Sequence, residues 1–162
     1  MTKLNNYDLK EINEKKGSVL AFDLGIKKTG VAVGNNVLKT SRNLVTFYSK
    51  NKNQRIEKIK QLVNEWQPIY LVLGLPSNRD TSANETTKFC LNTAKEIEKN
   101  INLPIFFVNE NYSSTSAEEL IKNLGNKKQK NNISPLIDQI AADIILQSHF
   151  NEVDKQLRSL NA

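Results

Sequence analysis

Hydrophobic positions change period several times along this chain, and each change predicts a new element. Val19-Leu20-Ala21-Phe22 and Val31-Ala32-Val33 are short apolar runs flanking a turn that holds Gly25, Lys27, Lys28 and Gly30, the pattern of a strand hairpin. Asn35-Asn36 predicts the next tight turn, because asparagine tolerates the positive φ that hairpin turns demand. Val37-Leu38 and then Leu44-Val45-Thr46-Phe47-Tyr48 read as a third strand, interrupted around Thr40 to Asn43. From Asn53 the period lengthens: Ile56, Ile59, Leu62, Val63 and Trp66 share one helical face, Arg55, Lys58 and Lys60 are left to water, and Pro68 ends the helix. Ile69-Tyr70-Leu71-Val72-Leu73-Gly74 is a continuous apolar run of strand length, as a strand buried on both faces requires.

A polar loop from Gly74 to Ser82 leads into a helix from Ala83 to Asn100, with Phe89, Cys90, Ala94, Ile97 and Ile101 inward. Pro104 to Val108 is a further buried strand, closed by Asn109-Glu110-Asn111. Thr115 to Glu118 has capping-box spacing and opens a short helix that Gly125 can terminate. Asn126 to Asn132 is basic and lacks apolar periodicity, which predicts a mobile loop; the last helix runs from Pro135 to Phe150. This order predicts an α/β domain over residues 18–150: a mixed five-stranded sheet, three strands in an antiparallel meander and two parallel, flanked by helices. Residues 1–17 and 151–162 read as polar tails.

Composition narrows the class. A chain of 162 residues suits one domain with a sizeable core, and no apolar run approaches the roughly 18 residues of a membrane helix. The polar N-terminal stretch has no apolar h-region, and Cys90, the single cysteine, fits a reducing compartment, so a soluble cytoplasmic protein is expected. Lys and Arg number 23 against 17 Asp and Glu, a net charge of +6 that favours polyanionic partners.

Candidate chemistry lies at the strand ends. In a sheet of this kind the carboxyl ends of the parallel strands gather ligands, and Asp23 and Glu110 close two of its strands. On the last helix, at about 100° per residue, Ile137, Ile140, Ala141, Ile144 and Ile145 form one apolar arc; Asp138 borders that arc and Asp143 lies nearly opposite its centre. Asp138 is therefore expected to face the sheet and Asp143 to face water. Each acid alone is explained by turn capping, solvation or the helix dipole. Jointly they form a carboxylate set suited to a hard divalent cation. His149 lies three turns beyond Asp138, about 16 Å along the axis, too far to share its site, and reads as a structural or surface residue.

Phe22-Asp23-Leu24-Gly25 through Thr29-Gly30-Val31-Ala32-Val33, Gly74-Leu75-Pro76, Glu110 before Ser113 to Glu118, and Ile137 through Leu146 resemble the YqgF/RuvX family over about Ser18 to Phe150. The resemblance implies an RNase H-like fold and a nuclease of structured nucleic acid. The activities assigned to that family are processing of the 5′ end of pre-16S rRNA during ribosome biogenesis and Holliday junction resolution. It further implies that Asp23, Glu110 and Asp138 are catalytic acids holding Mg²⁺ or Mn²⁺. The chain departs from the family at one place: Asn109-Glu110-Asn111 stands where Asp-Glu-Arg is usual, which removes a bidentate phosphate partner. That departure keeps open a second class, a non-catalytic RNA-binding assembly factor.

Lys27, Lys28 and Arg79 would stand near the strand ends and contact phosphates, and Lys127, Lys128 and Lys130 could close over bound pre-rRNA or branched DNA. Ribosomal particles are a further partner of the pre-rRNA reading. An actin-like ATPase, suggested by the Asp23 hairpin, needs two such domains and about twice this length. Monomer and homodimer both remain open, since a junction resolvase wants two-fold symmetry and an RNA-end nuclease does not.

Overall fold

The computed structural model describes residues 14–76, 81–110 and 130–160, with side chains described except at 76, 81–84, 110, 130–134 and 160. Strands β1 (Ser18–Leu24), β2 (Lys28–Asn35) and β3 (Thr40–Tyr48) precede helix α1 (Lys52–Trp66). Strand β4 (Tyr70–Pro76), helix α2 (Thr81–Asn100), strand β5 (Ile105–Glu110) and helix α3 (Lys130–Leu160) follow. The five strands form one sheet in the order β3-β2-β1-β4-β5. β1, β2 and β3 are an antiparallel meander, and β4 runs parallel to both β1 and β5, as the sequence predicts.

Strand alternation divides the apolar side chains between two cores. Leu20, Phe22, Leu71, Leu73, Ile105 and Phe107 pack with Ile56 and Ile59 of α1 and with Cys90, Ala94 and Ile97 of α2. Val19, Ala21, Ala32, Tyr70, Val72 and Phe106 pack instead with Ala142, Ile145, Leu146 and Phe150 of α3. The unbroken apolar run of β4 is thus covered on both faces. Asn51 caps α1 by accepting the Gln54 N–H at 2.8 Å, and Gln67 closes it in the left-handed region at φ 46, one residue before Pro68.

Several local expectations are corrected. Val37 and Leu38 do not begin β3; residues 36–39 form the turn, where Asn35 Oδ1 accepts the N–H groups of Val37 and Leu38. The positive φ falls on Lys39, at 55, and not on an asparagine. The expected interruption of β3 is one bulge: Val31 pairs Val45 and Ala32 pairs Asn43, so Leu44 is the extra residue. The last helix opens at Lys130, inside the stretch read as a loop, with Pro135 within it, and does not fray after Phe150. Val153 is 4% exposed and Leu157 packs on the same core, so an apolar stripe continues toward the end of α3 through a polar sequence. Asp143 does not face open water; it accepts a hydrogen bond from Ser41, because β3 extends far enough to lie beside it. The helix read at residues 115–125 lies outside the described residues.

Of the structural and surface roles open to His149, the fold selects the structural one, for the residue is buried. Its Nε2 lies 2.9 Å from the Tyr70 hydroxyl, and Tyr70, Phe106 and Phe150 surround its ring. Burial, with a smaller contribution from the nearby Lys39 charge, lowers its pKa to about 3. The fold therefore holds a neutral imidazole, while the unfolded chain takes up a proton near the ordinary value of 6.5. Stability is complete above that pH and falls as pH drops from 6.5 toward 3, with a limiting slope of about 1.4 kcal/mol per pH unit. Thermal melts at pH 7 and pH 5 should show a larger loss for the wild type than for His149→Gln, which keeps a partner for Tyr70 but does not titrate.

Candidate active site

Backbone pairing determines where the acids stand. In β1 the alternation that turns Val19 and Ala21 toward α3 carries Asp23 onto the same face, half-buried near the strand's carboxyl end. Asp23 is registered opposite Gly30 of β2. A Cβ built on Gly30 would lie 2.0 Å from the Asp138 carbonyl oxygen and 2.8 Å from the Asp138 Cβ. The missing side chain is therefore what lets α3 rest its backbone on the strand next to Asp23. One glycine joins two acids that are 115 positions apart in the chain.

The Asp138 side chain is 19% exposed, and its Oδ2 lies 3.0 Å from the Lys28 ammonium. That contact is an ion pair without an aligned hydrogen bond, for Oδ2 is buried and has no hydrogen-bond partner among the described residues. A buried carboxylate oxygen answered only by a nearby cation is a donor suited to a hard divalent ion. Strand register extends the same edge to β5. Phe22 pairs Leu73, Leu73 pairs Phe107, and Pro76 pairs Glu110. Backbone position 110 alternates with Phe106, so it falls on the α3 face, two strand spacings or roughly 10 Å from β1. Among the described side chains no three acid, histidine or cysteine groups are close enough to share a metal ion.

The basic candidates divide. Lys28 stands at the acids, and Lys27 is exposed in the preceding turn. Arg79, Lys127 and Lys128 lie outside the described residues, and Lys130 is placed only as the first residue of α3. Asn109, at the departure from the family pattern, is exposed.

Sequence reasoning missed Arg55. Assigned there to water, it is 5% exposed, with its guanidinium 4.7 Å from the Phe89 ring centroid and Nη2 donating to the Ile26 carbonyl at 2.7 Å. Burial lowers its pKa, but a guanidinium stays charged. It anchors the turn that connects Asp23 to Lys28, and the Ser49 N–H holds the same turn by donating to the Lys27 carbonyl at 2.9 Å. The available signal was its four-residue spacing from Ile59, which places it on the border of the apolar face.

A sheet ordered 3-2-1-4-5, with acids at the carboxyl edge of its first strand and on the helix that crosses it, defines an RNase H-like protein. Solved structures share that fold. Thermus thermophilus RuvC in complex with a Holliday junction superposes with a TM-score of 0.53 at 14% identity, covering 86% of this chain and 96% of that one. The fowlpox virus resolvase bound to junction DNA gives 0.51 at 12% identity, over 84% and 98%. The family model described as "RuvX: Holliday junction resolvase" matches residues 17–152, and the chain belongs to that family. Relatives named "Putative pre-16S rRNA nuclease" are 36% identical over 137 residues in Nitrosomonas europaea and 39% identical over 138 in Methylobacillus flagellatus. They cover 83% and 84% of this chain, which spans 90% and 92% of theirs.

Gly30→Ala should push α3 away from β2 at Asp138, since the added methyl would meet backbone and not a movable side-chain end. A loss of about 1–3 kcal/mol in urea unfolding is expected. It should be accompanied by a fall in activity beyond what the unfolded fraction explains.

Proposed function

We propose that this chain is a divalent-metal-dependent endonuclease that hydrolyses phosphodiester bonds in structured RNA, trimming the 5′ end of pre-16S rRNA. The observation that carries the reading is the convergence of Asp23 and Asp138 through Gly30 at the carboxyl edge, with backbone position 110 on the same face. Membership of the RuvX family and the names of the relatives at 36% and 39% identity support the choice of reaction and substrate.

Asp23, Asp138 and Glu110 are the residues that would hold the metal. When bound, one or two such ions lower the pKa of the attacking water and neutralise charge on the leaving oxygen. The protein's own contribution is placement. The Gly30 contact keeps the Asp138 carboxylate against the sheet, and the Lys28 ammonium offsets the charge of clustered acids. Arg55 holds the turn, so Lys27 is presented from a fixed backbone toward a phosphate flanking the one that is cut.

The test places a labelled pre-16S RNA fragment beside a synthetic four-way DNA junction, each with Mg²⁺, Mn²⁺ or EDTA. Wild type should cut the RNA only with metal, and Asp23→Asn should lose at least about a hundredfold in rate while retaining binding. Preferential cutting of the junction would move the assignment to Holliday junction resolution. Salt-sensitive RNA binding with no cleavage by either protein would overturn the nuclease reading in favour of an assembly factor.

A further inference from the structure

The turn anchored by Arg55, the end of β3 and the first turns of α1 enclose an open groove of about 630 Å³. Ile26 and Tyr48 stand at it unusually exposed for apolar and aromatic side chains, at 68% and 54%. Lys27, Lys50 and Lys58 also line it, and no acidic side chain does among the described residues. Among the described residues none of these lysines is ion-paired. The Lys58 ammonium is held in place by donating to the Tyr48 carbonyl at 2.6 Å and retains further donors. Ser49, which also lines the groove, has a buried Oγ without a partner among the described residues. Strand register ties the groove to the acids: Tyr48 pairs Lys28, and Lys28 reaches Asp138.

We infer that this groove is a track for an unpaired stretch of nucleic acid leaving the cleavage site, with a base stacked on Tyr48 and the phosphates on Lys27, Lys50 and Lys58. Charge of a single sign around an exposed ring is the pattern of single-strand binding, in which stacking supplies sequence-tolerant affinity and ammonium groups follow the backbone. The inference rests on the nuclease reading only for the direction of the strand. The groove's binding is separable from cleavage.

The experiment measures anisotropy of the full chain with a fluorescent oligouridine of about twelve nucleotides and with an RNA duplex of equal length, in EDTA, across a salt series. Tyr48→Ala should weaken oligouridine binding roughly tenfold, with Tyr48→Phe close to wild type and duplex affinity changed less than about twofold. Lys50→Ala should reduce the salt slope by about one. If Tyr48→Ala and Lys50→Ala both bind oligouridine within about twofold of wild type, or if wild type does not bind it, the track is overturned. A metal-dependent cleavage assay in parallel separates the two ideas. Loss of oligouridine affinity in Tyr48→Ala without any cleavage by wild type would sustain the track and remove the nuclease.

Discussion

The contact of the α3 backbone at Asp138 with the bare Cα of Gly30 is the constraint on which the site depends. Helices usually stand off a sheet by the length of the side chains between them, and an acid held at that distance could not share a ligand with a strand residue. Here the spacing collapses at one point, and that point is registered opposite Asp23. Farther along α3 ordinary side chains resume the separation: Ala142, Ile145, Leu146 and Phe150 fill the space over β1, β2 and β4. At Gly30 the backbone of the helix thus meets the sheet directly, beside Asp23.

Polar contacts fix the helix against sliding. Thr46 donates to the Pro135 carbonyl, Asn43 to Gln139 and Ser41 to Asp143, so three residues of β3 hold positions along α3. Apolar packing alone tolerates small shifts along a helix axis, whereas hydrogen bonds at three levels do not. At the far end the neutral His149, set among Tyr70, Phe106 and Phe150, completes the second core. The two buried basic groups among the described residues have opposite relations to water. His149 gives up its proton, while Arg55 keeps its charge and draws on the Ile26 carbonyl and the Phe89 ring to hold the turn beside the acids.

Much of the architecture was legible from hydrophobic period. The unbroken run at Leu71-Val72-Leu73 meant a strand with both faces covered, and the three- and four-residue spacing of Cys90, Ala94 and Ile97 meant a helix laid on one of them. Both readings hold because removing apolar side chains from water is the main force that folds the chain, and each kind of element marks its buried face with its own repeat. Where the reading failed, the deciding interaction was non-local. Arg55 looks solvent-facing until the Ile26 carbonyl and Phe89 are brought to it, and Asp143 looks solvent-facing until Ser41 arrives from an edge strand. The extent of α3 was hidden for a related reason: Val153 and Leu157 are too sparse to signal a helix until a core is present to receive them.

The sequence by itself determined the order of the described strands and helices and the covered faces of the central strand, since period and turn chemistry are local properties. Tertiary structure alone decided that Asp23 and Asp138 are neighbours, that a glycine is the reason, and that Tyr48 and three lysines border one groove beside them. These facts depend on which backbones can approach one another, and a one-dimensional pattern carries no record of distance between residues far apart in the chain.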